Sequence, residues 1–251
     1  MRPLLTPNPF AFAVVIATGL AAAGRSGQAQ SDDAQDCLSR KQPGAVIAAC
    51  TRLIESQQLS EIGLGRAYLH RAAAERDNGQ LDFALRDADA ALRLDPKSVD
   101  AHMVRSTIYR IKKDFDATIR EYDAVLQLQP NHIEAHANRG ATYVLKHEIE
   151  VALRDFDAVV RLDPKSSAAY YHRAVAYRLA GQYGRAFQDF TTAVELAPDN
   201  PLALTDLATC YLDGLGVQKD TKRGGELLSK AAQTGFPPAK EMLARFNRGK
   251  P

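Results

Sequence analysis

Residues 97–130 read KSVDAHMVRSTIYRIKKDFDATIREYDAVLQLQP, and residues 131–164 read NHIEAHANRGATYVLKHEIEVALRDFDAVVRLDP. Laid one over the other, the two stretches match in the placing of their large, small and charged residues, and both end on proline. The same ending recurs along the chain as Leu94-Asp95-Pro96, Leu128-Gln129-Pro130, Leu162-Asp163-Pro164 and Leu196-Ala197-Pro198. The interval between successive prolines is always the same (130−96, 164−130 and 198−164 each give 34). Each Pro removes an N–H and restricts the residue before it, so each marks a helix stop. A fixed period of this length is the mark of a repeat architecture.

Other columns keep the same interval. A large residue opens each unit (Tyr68, His102, His136, Tyr170) and a small one follows four later (Ala72, Ser106, Gly140, Ala174). Then come Glu75, Tyr109, Tyr143 and Tyr177, and after a turn Ala84, Thr118, Ala152 and Ala186, with Ala88, Tyr122, Phe156 and Phe190 four further on. Spacings of three, four and seven place these residues on one face of each of two helices. Small residues let the helix backbones approach, and aromatic rings fill the gaps between units.

This pattern resembles the tetratricopeptide repeat, in which large–Leu–Gly–Tyr marks the first helix, Ala–Phe–Ala the second, and Pro the end. The resemblance covers four units, 63–96, 97–130, 131–164 and 165–198. It implies an all-α solenoid of stacked antiparallel helix hairpins wound into a right-handed superhelix. Residues 30–62 read as a degenerate leading hairpin. Two departures stand out. The first unit lacks both aromatics, having Glu75 and Ala88, and the family's Leu column holds Arg71, Arg105, Arg139 and Arg173.

The Arg column has an acidic counterpart in Asp87, Glu121, Asp155 and Asp189, which keeps the same interval. Four aligned Arg side chains could form a row for anionic ligands. A ladder of partly buried ion pairs between packed helices explains them better, because unpaired buried Arg is costly and the acids recur in phase.

Residues 199–240 resemble a Sel1-like repeat, carried by Leu207-Ala208, Tyr211, Gly214, Gly216-Val217, Asp220, Ala231-Ala232, Gly235 and Ala239. After Pro198 the phase of the repeats reads as lost. Ala208 stands for the usual Gly, Gly224-Gly225 for the usual Ala, and Leu227-Leu228 for an aromatic pair. A single unit cannot bury both its faces, so this one is expected to stack on the fourth repeat. Residues 241–251 are expected to supply a capping helix, Glu241 to Arg248, and a tail.

The chain begins with an address. Phe10 to Ala23 (FAFAVVIATGLAAA) is an apolar stretch behind a weakly basic start, too short for a bilayer span of about 20 residues. Gly27-Gln28-Ala29 offers a small-residue cleavage site, so residues 1–29 read as a signal peptide, with an uncleaved anchor as the alternative. Export to the bacterial periplasm, or secretion, is the expected localisation. An oxidising compartment then favours a Cys37–Cys50 disulfide over two buried thiols, since Gln42-Pro43-Gly44 turns the chain between them. Closing that loop would contribute about 3 kcal/mol. Cys210 is left over, on a helix that buries it.

Charge and composition narrow the function. The chain is 45% hydrophobic and 25% charged, ordinary for a folded protein, which excludes disorder. Residues 1–29 hold two of the 32 basic residues and none of the 30 acidic ones, so the remainder is neutral and carries no nucleic-acid footprint. His132 and His136 lie four apart, but Glu134 is misplaced for a metalloprotease base and no third ligand is in sight, so no metal is expected. Gly214-Leu215-Gly216 lacks the Gly-Lys-Ser/Thr of a phosphate loop. With no catalytic constellation, no enzyme activity and no cofactor are expected.

The resemblance implies a concave groove lined by the first helix of each unit. Its columns are Arg66, Asp100, Glu134, Ala168; Leu69, Met103, Ala137, Tyr171; Ala73, Thr107, Ala141, Val175; and Arg76, Arg110, Val144, Arg178. Arg66, Leu69, Arg76, Met103, Thr107, Arg110, Tyr171 and Arg178 are the expected partner-binding residues. The lining suits an extended peptide or helix with one acidic group. The expected role is a non-catalytic adaptor or scaffold of the cell envelope for a protein or peptide partner. The alternatives are a structural subunit of an envelope assembly complex packing through its repeat faces and, further off, an enzyme acting on the cell wall.

Overall fold

A computed structural model describes residues 26–39 and 42–248. The expected signal segment lies outside the described residues as far as position 25. Thirteen helices and no strands are found among the described residues. They pair in chain order: α1 (Ser26–Cys37) with α2 (Pro43–Glu55), α3 (Glu61–Asp77) with α4 (Leu81–Leu94), α5 (Val99–Ile111) with α6 (Phe115–Leu128), α7 (Ile133–Leu145) with α8 (Ile149–Leu162), α9 (Ser167–Leu179) with α10 (Tyr183–Leu196), and α11 (Pro201–Asp213) with α12 (Thr221–Gln233). The last helix, α13 (Pro237–Arg248), packs on α12. Each hairpin also touches the next through its second helix, which makes the stack a solenoid.

Local chemistry sets each helix end. Ser98, His132, Ser166 and Asn200 cap α5, α7, α9 and α11, each accepting the N–H of the residue three further on. The second helices stop at Leu94, Leu128, Leu162 and Leu196, just ahead of each Pro. The turn inside each repeat needs a left-handed residue. Gly79 and Gly181 supply it at no steric cost, but Lys113 (φ 61°) and His147 (φ 62°) hold the same position in the second and third repeats.

Packing follows the small-against-large logic of the sequence. Ala72, Ser106, Gly140 and Ala174 are all buried, and Tyr122, Phe156 and Phe190 fill the space between hairpins. At Gly140 the fit is tight, since an added Cβ would lie 3.1 Å from the Phe156 ring and 3.2 Å from Asp155 Cβ. In the first repeat, where Ala88 replaces the aromatic, Ile108 from the next unit packs with Ala72, Ala84 and Ala88.

At the leading end, Cys37 and Cys50 form a disulfide with Cα atoms 4.8 Å apart. Cys210 is a free, buried thiol, pushed up to about 11 by burial and by Asp206.

At the closing end the register differs from the sequence reading. α11 begins and ends one full repeat after α9 (201−167 and 213−179 both give 34), so the phase survives through the first helix of the last hairpin. It breaks only at the next loop, where the segment 214–220 replaces the short turns at 112–114, 146–148 and 180–182. Gly216 (φ 73°) lies so close to the start of α10 that a Cβ there would collide with the Tyr183 carbonyl. The Gly224-Gly225 departure also has a steric reason. A Cβ on Gly224 would run into Leu212, and one on Gly225 into the Phe246 ring of α13. The capping helix starts at Pro237, one turn before the expected Glu241. Its outer residues Lys240, Glu241, Ala244, Arg245 and Arg248 are exposed or nearly so, which gives the solenoid a mostly polar end.

Candidate functional site

The face formed by α3, α5, α7, α9 and α11 is the candidate site, and an ion-pair ladder sets its geometry. Arg71, Arg105, Arg139 and Arg173 each reach the in-phase acid on the second helix of their own hairpin: Asp87, Glu121, Asp155 and Asp189. Each guanidinium also reaches back to the hairpin before it. Arg105 meets Asp89 at 2.6 Å, Arg139 meets Asp123 at 2.6 Å and Arg173 meets Asp157 at 2.9 Å. Arg71, next to the leading hairpin, meets the Thr51 hydroxyl instead. The second acidic column keeps the repeat interval too (123−89 and 157−123 both give 34). In the closing hairpin Leu207 takes the Arg position and is buried with Leu227 in one apolar cluster.

The opening column completes the ladder in two ways. His102 and His136 place Nδ1 2.7 and 2.8 Å from Glu121 and Asp155, with Nε2 against the carbonyls of Pro96 and Pro130. Tyr68 and Tyr170 instead present their rings to Arg71 and Arg173, each 5.6 Å from guanidinium carbon to ring centre. His132 Nδ1 caps α7. The two histidines four apart are therefore committed to capping and to the ladder.

On the groove columns the expected residues divide. Arg66 is exposed. Leu69 packs against Ala91, Leu92 and Ala101, and Met103 against Tyr122, Val125 and Ala135. The Thr107 hydroxyl donates to the Met103 carbonyl at 3.0 Å. Arg76 pairs with Asp77 at 2.8 Å. Arg178 and Tyr171 turn to their own chain. Tyr171 donates to Asp206 at 3.0 Å, and Arg178 lies 3.7 Å from the same carboxylate. Burial raises the Asp206 pKa against the opposing pull of Arg178 and Tyr171. Beside them His172 sits between Phe156 and Tyr171, pushed down to about 4 by burial and therefore uncharged at neutral pH. Arg110, half-buried, has no ion pair among the described residues and lies within hydrogen-bond reach of the Tyr122 hydroxyl.

Sequence reasoning missed one row. Ile111, Leu145 and Leu179 are 46, 53 and 54% exposed and directly follow the flank column. Each lies one helical turn beyond Thr107, Ala141 or Val175, hence on the same helix face. Asp77 and Asp213 occupy the equivalent positions at the two ends. The signal was the shared repeat interval (145−111 and 179−145 both give 34), hidden because aliphatics at a helix end read as core.

Residues 69–133 and 143–201 match the family described as tetratricopeptide repeat. These are tetratricopeptide repeats. Such repeats are typical of protein–protein interaction scaffolds. The solved structures agree on the fold. A tetratricopeptide repeat protein from Parabacteroides merdae is 17% identical with TM-score 0.66, covering 88% of this chain and 99% of its own. YrrB, described as a TPR protein with an unusual peptide-binding site, is 20% identical with TM-score 0.61, covering 80% and 98%. MamA from Desulfovibrio magneticus RS-1, residue 41 to the end, is 22% identical with TM-score 0.61, covering 68% and 94%. No curated protein matches the sequence. The repeat match ends at Pro201, so most of α11 and all of α12 and α13 lie beyond it.

Proposed function

We propose that the chain is a non-catalytic adaptor of the cell envelope that binds a segment of a partner protein on the first-helix face of its repeats. The observation that carries this is the row Ile111, Leu145 and Leu179, about half exposed on three consecutive units. Aliphatic side chains repeated on one face at this exposure are suited to burial by a ligand. Arg110 beside Ile111 supplies a cation for one acidic group of that ligand, and Met103, Ala137 and Ala141 floor the groove. Export is supported by the apolar stretch Phe10–Ala23 and by the Cys37–Cys50 pair. We read the closing hairpin as a Sel1-like repeat. The left-handed Gly214 and Gly216 support that reading.

Capture from exporting cells tests the site, with the wild-type chain beside Leu145→Glu and Arg110→Glu. Both substitutions leave the ladder intact, but Arg110→Glu falls beside the buried Tyr122 hydroxyl, so capture is scored only after melting curves show both variants folded. A protein recovered by the wild type and lost with both variants supports the groove and names its ligand. Equal recovery by all three chains overturns it. Tyr171 is unsuitable for this test, because its hydroxyl bonds Asp206 and its ring packs on Phe190.

A further inference from the structure

We propose that the Cys37–Cys50 disulfide is a redox latch: it holds helix α1 on the end of the solenoid, and its reduction releases α1 and uncovers Cys50.

α1 reads SGQAQSDDAQDC and contains no Leu, Ile, Val, Met or aromatic residue. Among its described side chains only Cys37 is buried, with Ala34 packed beside it. The charged hold of α1 on α2 is the pair of Arg52 with Asp33, two-pronged through Nε and Nη2 but on the solvent side, where screening leaves such a pair only a small contribution. A helix of 12 residues, shorter still with the expected cut after Ala29, that is polar nearly all round does not order itself in water. α2 is a different case. It buries Val46, Ala49, Cys50 and Leu53 in one cluster with Ala67 and Ala74 of α3, so it belongs to the solenoid without the bond. The cross-link therefore joins a segment with almost no apolar attachment to one with a full share.

Protection runs in both directions. Cys37 is 1% and Cys50 0% exposed, so a reductant reaches the sulfurs only when α1 frays. A dithiol can then act. Its thiolate attacks one cysteine Sγ, forming a mixed disulfide and releasing the other cysteine as a thiolate. Its second thiol then closes an intramolecular disulfide and frees the first cysteine. The protein gains two electrons and two protons, and the dithiol loses the same. Once reduced, α1 has too little apolar contact to return it to its seat, and the Cys50 side of α2 stays open. In an oxidising compartment the latch is closed, and exposure to dithiol reductants opens it.

The internal control is Cys210, buried in α11 with its thiol pushed up to about 11. The whole chain is refolded with or without dithiothreitol, treated with iodoacetamide under native conditions and mapped by peptide mass. The expected result is no adduct on the oxidised chain. On the reduced chain, adducts are expected at both Cys37 and Cys50 and none at Cys210. A reduced chain whose Cys50 stays unmodified would overturn the proposal, because α1 would then remain docked without the bond. Hydrogen exchange on a Cys37→Ser/Cys50→Ser variant gives a second readout. α1 amides are expected to exchange at least tenfold faster than in the oxidised wild type, with α3 to α12 unchanged. Retained protection in α1, or loss of protection throughout the solenoid, would each overturn a local latch.

Discussion

Arg139 and Asp155 are joined by two hydrogen bonds, Nε to Oδ2 at 2.9 Å and Nη2 to Oδ1 at 2.7 Å. The carboxylate is almost wholly buried and also meets His136 Nδ1 at 2.8 Å. Taking away one partner leaves Asp155 with His136 alone or Arg139 with Asp123 alone, and breaking a buried pair costs about 3 kcal/mol. Arg139→Met and Asp155→Leu should therefore each destabilise strongly, and the double variant by clearly less than their sum. A coupling of about 1–3 kcal/mol from urea unfolding is the expected value. Additive losses would contradict the ladder.

Glu75 sits where the other repeats have Tyr and is 5% exposed. Burial first, and the nearby Asp87 second, push its carboxyl up to about 7, against the pull of Arg71 and Arg86. A folded pKa above the unfolded one means that the native state binds the extra proton. This contribution is fully present below about pH 4.5 and is lost as pH rises through about 7. The loss amounts to about 3 kcal/mol at most. Glu75→Gln should flatten the fall in stability between pH 5 and 8, measured by thermal melts across that window. An unchanged slope would place the pH dependence elsewhere.

Lys113 and His147 adopt the left-handed backbone that Gly79 and Gly181 adopt in the flanking repeats. Non-Gly residues there carry strain of about 1 kcal/mol, partly offset on substitution by the larger unfolded-state freedom of Gly. Lys113→Gly and His147→Gly should each stabilise by a few tenths to about 1 kcal/mol, seen as a higher urea midpoint. The neighbouring pairs Lys112–Asp82 and Lys146–Asp116 should persist, because they do not involve the substituted side chains.

Gly140 and Gly184 provide a matched contrast. A methyl at Gly140 meets the Phe156 ring and Asp155, whereas one at Gly184 meets nothing within 4 Å. Gly140→Ala should destabilise by about 1–3 kcal/mol through overpacking. Gly184→Ala, in the first turn of α10, should stabilise by up to about 1 kcal/mol. Calorimetric melting temperatures moving in opposite directions are the expected outcome.

The sequence displays the repeat body because hairpin packing depends on positions three, four and seven apart, which a linear reading can line up. Arg139 and Asp155 were legible together because both columns carry the phase of the repeat. Asp123 has that phase too, yet it acts on Arg139 from the preceding hairpin, and only the stacking shows that reach. The continued register of α11 was masked by the lengthened loop at 214–220. At Gly225 the missing methyl looked like a departure until Phe246 supplied the reason. In the candidate site, Tyr171 and Arg178 turn to Asp206 on α11, a partner that belongs to the next hairpin and that no column of the repeat displays.

Each ladder Arg from Arg105 to Arg173 is held by two hairpins at once, whereas the seam at Leu207 is closed by apolar contact. The interior seams therefore hold an Arg between two carboxylates, whereas the last one carries only the looser pair of Arg178 and Asp206 beside its apolar contacts. Under tension applied at the two termini, concentrated salt would soften the middle of the molecule more than its closing hairpin. Cold would do the reverse, since apolar contact weakens on cooling. A single chain could thus come apart from its centre or from its end, according to the medium in which it is pulled.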